Sequence, residues 1–184
     1  METPLVSVII PNYNHARFLD ERIHSVLNQT YQNFEVIILD DKSTDNSVEV
    51  INKYKDNPHV SHIVVNEVNS GSTFKQWHKG FELAKGEWIW IAESDDYCDE
   101  DLLQELMDRI KGGKNVAVVY CSSQLVDEDG MKIGFEYPHS DNVDFIDGIS
   151  FIKNQMSGTN GLKVTIWSQT RGGGEGIWKK RRMH

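Results

Sequence analysis

Cysteine, proline and long apolar runs are all scarce in this 184-residue sequence, and each shortage excludes a class of protein. Cys98 and Cys121 are too few and too far apart for a disulfide framework or a zinc-site spacing. The seven histidines are scattered, and His59 and His62 fall on opposite sides of any strand that holds them, so no histidine metal cage is predicted. No stretch of about eighteen apolar residues exists to span a membrane. Residues 1–11 also lack the basic start and long apolar centre of a signal peptide, which predicts a protein that folds and works in the cytoplasm.

Basic charge is short as well. With 19 Lys and Arg against 28 Asp and Glu, the net charge of -9 argues against nucleic acid as a partner, because phosphate contacts need clustered cations. Neither GxGxxG nor GxxxxGK[ST] occurs, so a glycine loop that cradles phosphate is not the device used here. The shortage of cations is uneven. Residues 161–184 carry Lys163, Arg171, Lys179, Lys180, Arg181 and Arg182 against Glu175, a net +5, which leaves -14 on the first 160 residues.

What is present is a regular alternation. VSVII at 6–10, FEVIIL at 34–39, 60–65, WIWIA at 88–92 and VAVVYC at 116–121 are short apolar runs of the kind that fill strands buried on both faces. The third, with Ser61 and His62, suits a place near an edge. Between the first four runs lie helical spacings: Leu19, Ile23, Val26, Leu27 and Thr30; then Val48, Ile51 and Tyr54; then Phe74, Trp77, Phe81 and Ala84. Leu102, Leu103, Leu106, Met107 and Ile110 follow the fourth run. Ser43, Thr44, Asp45, Ser72 and Asp99 offer helix caps, and Gly86 and Gly112-Gly113 offer stops. Strands separated by helices of about a dozen residues predict an α/β fold, Rossmann-like, with a mostly parallel sheet. Beyond it, 124–126 and 131–135 flank a hairpin signal at Asp127-Glu128-Asp129-Gly130, and 147–156 reads as a short helix. Trp77, Trp88 and Trp90 read as core.

Right-handed crossovers bring the carboxyl ends of parallel strands to one edge, where open α/β sheets bind ligands. Four polar turns are predicted there: 11–14, Asp40-Asp41, 66–71 and 93–96. If Asp95 and Asp96 are extended they point to opposite sides, so that one can hold a divalent cation while the other meets a different part of a ligand. Acids at two strand ends, few cations and Tyr13 in the first turn suit a diphosphate bridged by Mg²⁺ or Mn²⁺, with the tyrosine ring stacked on a base.

VSVIIPNYNHARFLDERIHSVLNQTYQNFEVIILDDKSTDNS, followed by FKQWHKGFELAKGEWIWIAESDDY, resembles the amino-terminal half of the family 2 glycosyltransferases, inverting enzymes of the GT-A fold. The resemblance covers residues 4–129 and rests on three separated motifs in the right order. It implies transfer of a sugar from a nucleotide diphospho-sugar, UDP-linked, to a hydroxyl of a saccharide or lipid-linked acceptor in polysaccharide biosynthesis. It places Pro11 and Tyr13 in the turn that holds the base, and Asp41 on the base itself, with Asp40 supporting. Asp95 is implied on ribose or sugar hydroxyls, and Asp96 on the Mg²⁺ or Mn²⁺ ion. Glu93 stands where the family often has Asp. Lys75 lies near a position where many members carry an arginine that reaches the nucleotide, a loose match, and it also reads as a solvated helix residue.

An inverting transfer needs a general base to take the acceptor proton, and in this family the base comes from the second half of the domain. Residues 1–160 are therefore predicted to form a nucleotide-sugar-binding domain incomplete on its carboxyl side, its catalytic base unknown. Asp127 and Glu128 either reach an acceptor or serve the hairpin turn. Residues 161–184, basic and rich in glycine, show no matching strand and are predicted to be poorly ordered. Two readings of this tail stay open. In one the frame was lost near residue 160, leaving a truncated, non-catalytic nucleotide-sugar-binding remnant; in the other the tail docks on anionic lipid at the inner face of the membrane, at about 1 kcal/mol per Lys or Arg. A receiver-like signalling domain fits less well, because the acid pairs follow the second and fourth strands and the first ends in Pro-Asn.

Overall fold

The structure is a computed structural model that describes residues 3–112, 116–121, 123–127, 130–137 and 165–168. Four strands, β1 (Val6–Asn12), β2 (Phe34–Asp40), β3 (Val60–Val65) and β4 (Trp88–Ile91), alternate with the helices α1 (Ala16–Leu27), α2 (Ser47–Asn52) and α3 (Thr73–Leu83); α4 (Leu102–Gly112) follows β4. The strands pair in parallel in the order β3-β2-β1-β4. The predicted α/β fold with a parallel sheet is therefore present. Every residue of β1, β2 and β4 is buried, as their unbroken apolar runs require, whereas β3, at the sheet edge, is only partly covered.

Alternation along the strands divides the core in two. Ile9, Ile37, Leu39, Ile89 and Ile91 form one buried face, against which Trp77 and Phe81 of α3 pack. Val8, Ile10, Val36, Ile38 and Trp90 occupy the alternate positions and are fully buried; α1 lies over Trp90 on that side. Each such side chain contributes about 2 kcal/mol relative to exposure. Of the predicted α1 stripe, Leu19, Ile23 and Val26 are buried and Leu27 half-buried, whereas Thr30 lies past the end of the helix and is exposed; Arg22 is buried among them instead.

Beyond the parallel core the structure departs from expectation. The fifth run forms β5 (Val118–Tyr120), but it does not neighbour β4. A strand from the basic tail, β8 (Thr165–Ser168), lies between them and pairs antiparallel with β4. No strand was predicted past residue 160. The run TIW is short and stands amid glycine and charge, so only the open edge of β4 reveals it. The rest of that tail and the helix predicted at 147–156 lie outside the described residues.

The chain divides into two compact units, Met1–Val119 with Ile166–Gly172, and Tyr120–Thr165 with Gly173–His184. Described in the second is the predicted hairpin, β6 (Ser123–Val126) against β7 (Lys132–Tyr137). Its turn closes through the Gly130 amide on the Asp127 carbonyl (3.0 Å), with Gly130 at φ 77°.

At the amino edge of the parallel sheet a buried carboxylate links three segments. Glu35 Oε1 accepts from Ser7 Oγ (2.7 Å) and from the Lys85 amide (2.8 Å), and Ser7 Oγ in turn accepts from the Gly86 amide (2.8 Å). This brings residue 86 so close that a Cβ there would stand 2.5 Å from the Ser7 nitrogen and 2.8 Å from the Leu5 carbonyl oxygen. At Gly80 the atoms nearest to a Cβ all belong to the Ile9 side chain, the first at 2.6 Å. Gly86→Ala should therefore cost about 3 kcal/mol, because backbone cannot move aside. Gly80→Ala should cost about 1 kcal/mol, since Ile9 can shift and the helix gains from alanine. Urea unfolding of the two variants checks the order.

Burial pushes the Glu35 pKa up, yet the hydrogen bonds from Ser7 and the Lys85 amide outweigh it, and the net shift is downward from the usual 4.5. A carboxylate with a lowered folded pKa stabilises the fold above its unfolded value, and that contribution disappears as pH falls through the folded one. Below pH 4.5 the parent chain should thus lose stability more steeply than Glu35→Gln, a difference that thermal unfolding across pH 3 to 6 reads directly.

Candidate functional site

The order β3-β2-β1-β4 means that the chain moves outward from β1 through β2 to β3, then crosses back to the other side of β1. The reversal leaves a crevice between the carboxyl ends of β1 and β4, the usual ligand position in such sheets. Pro11 belongs to this geometry. Ile9 offers its carbonyl to the Ala92 amide (2.8 Å), so the backbone groups of residue 11 face the same side, but β4 pairs only as far as Ile91, opposite Ile9. The missing N–H of proline consequently interrupts no ladder there.

The turns predicted to meet at this rim do meet. Asn14, at φ 57°, accepts at Oδ1 from the Thr44 amide (2.7 Å), and its own amide donates to Ser43 Oγ (2.9 Å), joining the turn after β1 to the turn after β2. Asp45 receives the Ala16 amide (2.9 Å) and the Ser47 amide (3.0 Å), serving the first turns of α1 and α2 at once. Burial pushes the Asp45 carboxyl up, but the Ser47 hydroxyl together with the Ala16 and Ser47 amides holds it below its ordinary value. On the other side His15 Nδ1 lies 2.8 Å from Ser94 Oγ, which joins the turn after β1 to the turn after β4.

The two members of the first acid pair do different work. Asp40 is fully buried and accepts from Asn12 Nδ2 (2.8 Å), Ser43 Oγ (2.6 Å) and the Ser43 amide (2.9 Å), so it builds the turn. Asp41, 5 % exposed, holds the loop after β3. Its Oδ1 receives Asn66 Nδ2 (2.7 Å), the Ser70 amide (2.8 Å) and Gln76 Nε2 (2.9 Å), while Oδ2 receives the Ser70 hydroxyl (2.7 Å). Lys75 also turns to that loop, its Nζ donating to the Ser70 carbonyl (3.0 Å). Tyr13, 47 % exposed, stands at the end of β1 with its ring on the surface.

Asp95 and Asp96 are not extended, contrary to expectation. The Asp96 amide turns back toward the Glu93 carbonyl (3.3 Å), and the two side chains part by burial instead: Asp95 is exposed, while Asp96 is 21 % exposed and approaches Arg22, with Nη2 to Oδ2 at 3.9 Å. Arg22, only 1 % exposed, also donates from Nε to the Glu93 carbonyl (2.8 Å). Burial pushes the Arg22 pKa down from its usual value, and Cys98, Asp96 and Asp95 pull it back. Since burial pushes the Cys98 thiol up, that thiol is neutral near pH 7 and the opposing charge is supplied by the two aspartates.

The carboxylates at this turn are hard oxygen donors of the kind Mg²⁺ and Mn²⁺ prefer. Among the described residues no three His, Cys, Asp or Glu converge. One or two carboxylates fit an ion that takes its other ligands from a diphosphate and water, and do not make a cage that would hold it alone. A hollow of about 920 Å³ lies at the opposite, amino edge, lined by Leu5, Tyr31, Asn33 and Glu87 among others. None of the residues that converge above line it, so the site is assigned to the carboxyl rim.

Three residues of this region escaped sequence reasoning: Arg22, Gln29 and Gln76, all buried. For Arg22 and Gln76 the available signal was a polar residue set beside apolar positions of a helical stripe; Gln29, past the end of α1, carried none. Gln29 Oε1 caps α4 by accepting the Leu103 amide (2.7 Å), and its Nε2 reaches the Asp99 carbonyl (2.6 Å); Asp99, the predicted cap, contributes only backbone.

Comparison with known proteins follows the same outline. The family model described as Glycosyl transferase family 2 matches residues 7–162. The chain is 38 % identical over 138 residues to a chondroitin synthase of Pasteurella multocida, covering 73 % of this chain and 14 % of that protein. S. aureus TarS 1–349, solved in complex with UDP-GlcNAc, superposes with a TM-score of 0.54 at 31 % identity, over 58 % of this chain and 31 % of that one. The mannosyltransferase PcManGT of Pyrobaculum calidifontis, solved with GDP-Man and Mn²⁺, has a TM-score of 0.56 at 23 % identity over 66 % and 36 %, a likeness of fold. The chain thus spans about one seventh of the chondroitin synthase it matches.

The differing burial of the acids separates them by experiment. Asp40→Ala strands three donors in the core and should cost about 3 kcal/mol, whereas Asp95→Ala, on the surface, should stay within about 0.5 kcal/mol. Denaturant midpoints of the two variants measure this, and equal losses would contradict the assignment.

Proposed function

Because the chain belongs to glycosyl transferase family 2, we propose that it binds a nucleotide diphospho-sugar, UDP-linked, at the carboxyl rim and serves its transfer, with inversion, to a hydroxyl of a saccharide or lipid-linked acceptor. The observation that carries this reading is the meeting, on one rim at the strand reversal, of the turns that carry Tyr13, Asp41, Asp95 and Asp96. UDP-GlcNAc bound to TarS supports the choice of nucleotide.

In this reading each residue acts as its surroundings permit. Asp41 Oδ1 is occupied by three donors, so the base is served by Oδ2, whose single donor here, the Ser70 hydroxyl, can rotate away. A ring imide N–H such as that of uracil then replaces the hydroxyl. A carboxylate suits this donor and repels a base that offers only an acceptor at that point. Tyr13 presents a face for stacking, and stacking on a base is worth about 1–3 kcal/mol. Asp95, in solvent, accepts from ribose or sugar hydroxyls. Asp96 with the diphosphate would hold Mg²⁺ or Mn²⁺, and the ion when bound neutralises charge that develops on the leaving diphosphate. Lys75, clasped to the Ser70 carbonyl, keeps the loop after β3 at the mouth of the base site.

Calorimetric titration with UDP, with and without Mn²⁺, tests the reading. Affinity should rise at least about tenfold with the ion, and Asp96→Asn should lose that gain while metal-free binding persists. UDP that binds no better with Mn²⁺, or a variant that keeps the full gain, would remove Asp96 from its role. Turnover of a UDP-sugar in the presence of an acceptor then reads transfer itself.

A further inference from the structure

The loop that carries the acidic turn hangs from α1 by three polar side chains spaced seven residues apart. His15 meets Ser94 Oγ (2.8 Å), Arg22 meets the Glu93 carbonyl (2.8 Å) and the Asp96 carboxylate (3.9 Å), and Gln29 meets the Asp99 carbonyl (2.6 Å) and the Leu103 amide (2.7 Å). Seven residues is close to two helical turns, so the three stand on one stripe of the helix and its flanks. Of these, Arg22 is the one permanently charged group. It is 1 % exposed, its guanidinium lies 5.8 Å from the Trp90 ring, and its Nη1 has no hydrogen-bond partner among the described residues.

A guanidinium buried with one nitrogen unpaired is a poor way to stabilise a core, since a well-packed apolar side chain of similar volume commonly does as well or better. Its contacts point elsewhere. The firm bond fixes the backbone at the start of the turn, and the looser ion pair draws the Asp96 carboxylate toward the guanidinium. We propose that Arg22 is the positioning residue of the acidic turn: from beneath it, Arg22 sets the place of Asp96 and so the cation-dependent part of nucleotide binding. The proposal rests on the donor-binding reading above. Being buried, Arg22 touches no ligand and acts only through the turn.

The test uses the full chain, calorimetric titration with UDP in the presence and absence of Mn²⁺, and thermal unfolding of the same samples. Arg22→Met replaces the guanidinium by an apolar chain that fits a core, and should unfold cooperatively near the parent temperature. Its binding of UDP alone should match the parent, while the gain conferred by Mn²⁺ should fall about tenfold, the usual consequence of losing a group that orients a metal ligand. On an Asp96→Asn background the same substitution should change nothing further. A parent-like gain in Arg22→Met overturns the proposal, and so does equal weakening with and without the ion, which marks a merely structural residue. If Arg22→Met does not fold, Arg22→Lys, which keeps the charge but not the planar fork, carries the test: a partial loss of the gain supports the role and an unchanged gain overturns it. Absence of any Mn²⁺-dependent binding in the parent chain defeats the donor-binding reading, and this proposal with it; dependence that is present and indifferent to residue 22 defeats the proposal alone.

Discussion

A parallel sheet sends every strand out through the same edge, and at that edge the backbone leaves its ladder with groups still to be satisfied. In this protein four strands end together, and the unpaired groups are taken up by short polar side chains of neighbouring turns. Asn12, Asn14, Ser43 and Asp40 bind one pair of turns; His15 and Ser94 bind the next; Asp41, Asn66 and Ser70 bind the third. The rim is therefore one connected network, and its geometry follows from the need to finish four strands at once. A ligand site at such a rim inherits rigidity from bonds the fold requires anyway.

The same economy explains why acids of one motif differ in role. Asp40 and Asp41 are consecutive, yet β alternation aims them at opposite sides: one closes its own turn, the other holds the loop after the neighbouring strand β3. Asp95 and Asp96 differ because the chain turns back at Glu93, leaving one carboxylate in water and the other facing a buried cation on α1. The chain belongs to glycosyl transferase family 2, and the hydrogen bonds give each of these acids a separate physical task.

Buried polar side chains on and beside the helices complete the arrangement. Arg22 and Gln76 sit where apolar residues are the rule and reach the loops at the ends of strands, while Gln29, just past the end of α1, ties the Ser25 carbonyl of that helix to the Asp99 carbonyl and the start of α4. Such groups are costly to bury unless they are paired. Their pairing couples helix packing to loop position, so that α1 and α3 act as supports for the turns after β4 and β3.

The sequence by itself determined the alternation of strands and helices, the parallel sheet and the polar character of each carboxyl turn, because apolar period and turn chemistry are local properties read over a few residues. Tertiary structure alone decided which segment each acid holds, since that depends on donors 25 to 35 residues away, as with Asn66 and Gln76 on Asp41. It alone revealed Arg22 beneath Asp96, 74 residues apart, because a lone arginine in a helical stripe looks like any solvated charge until the opposing loop covers it. The antiparallel β8 belongs to the same class: a four-residue segment becomes a strand only when an open edge, here that of β4, supplies the hydrogen bonds it cannot make alone.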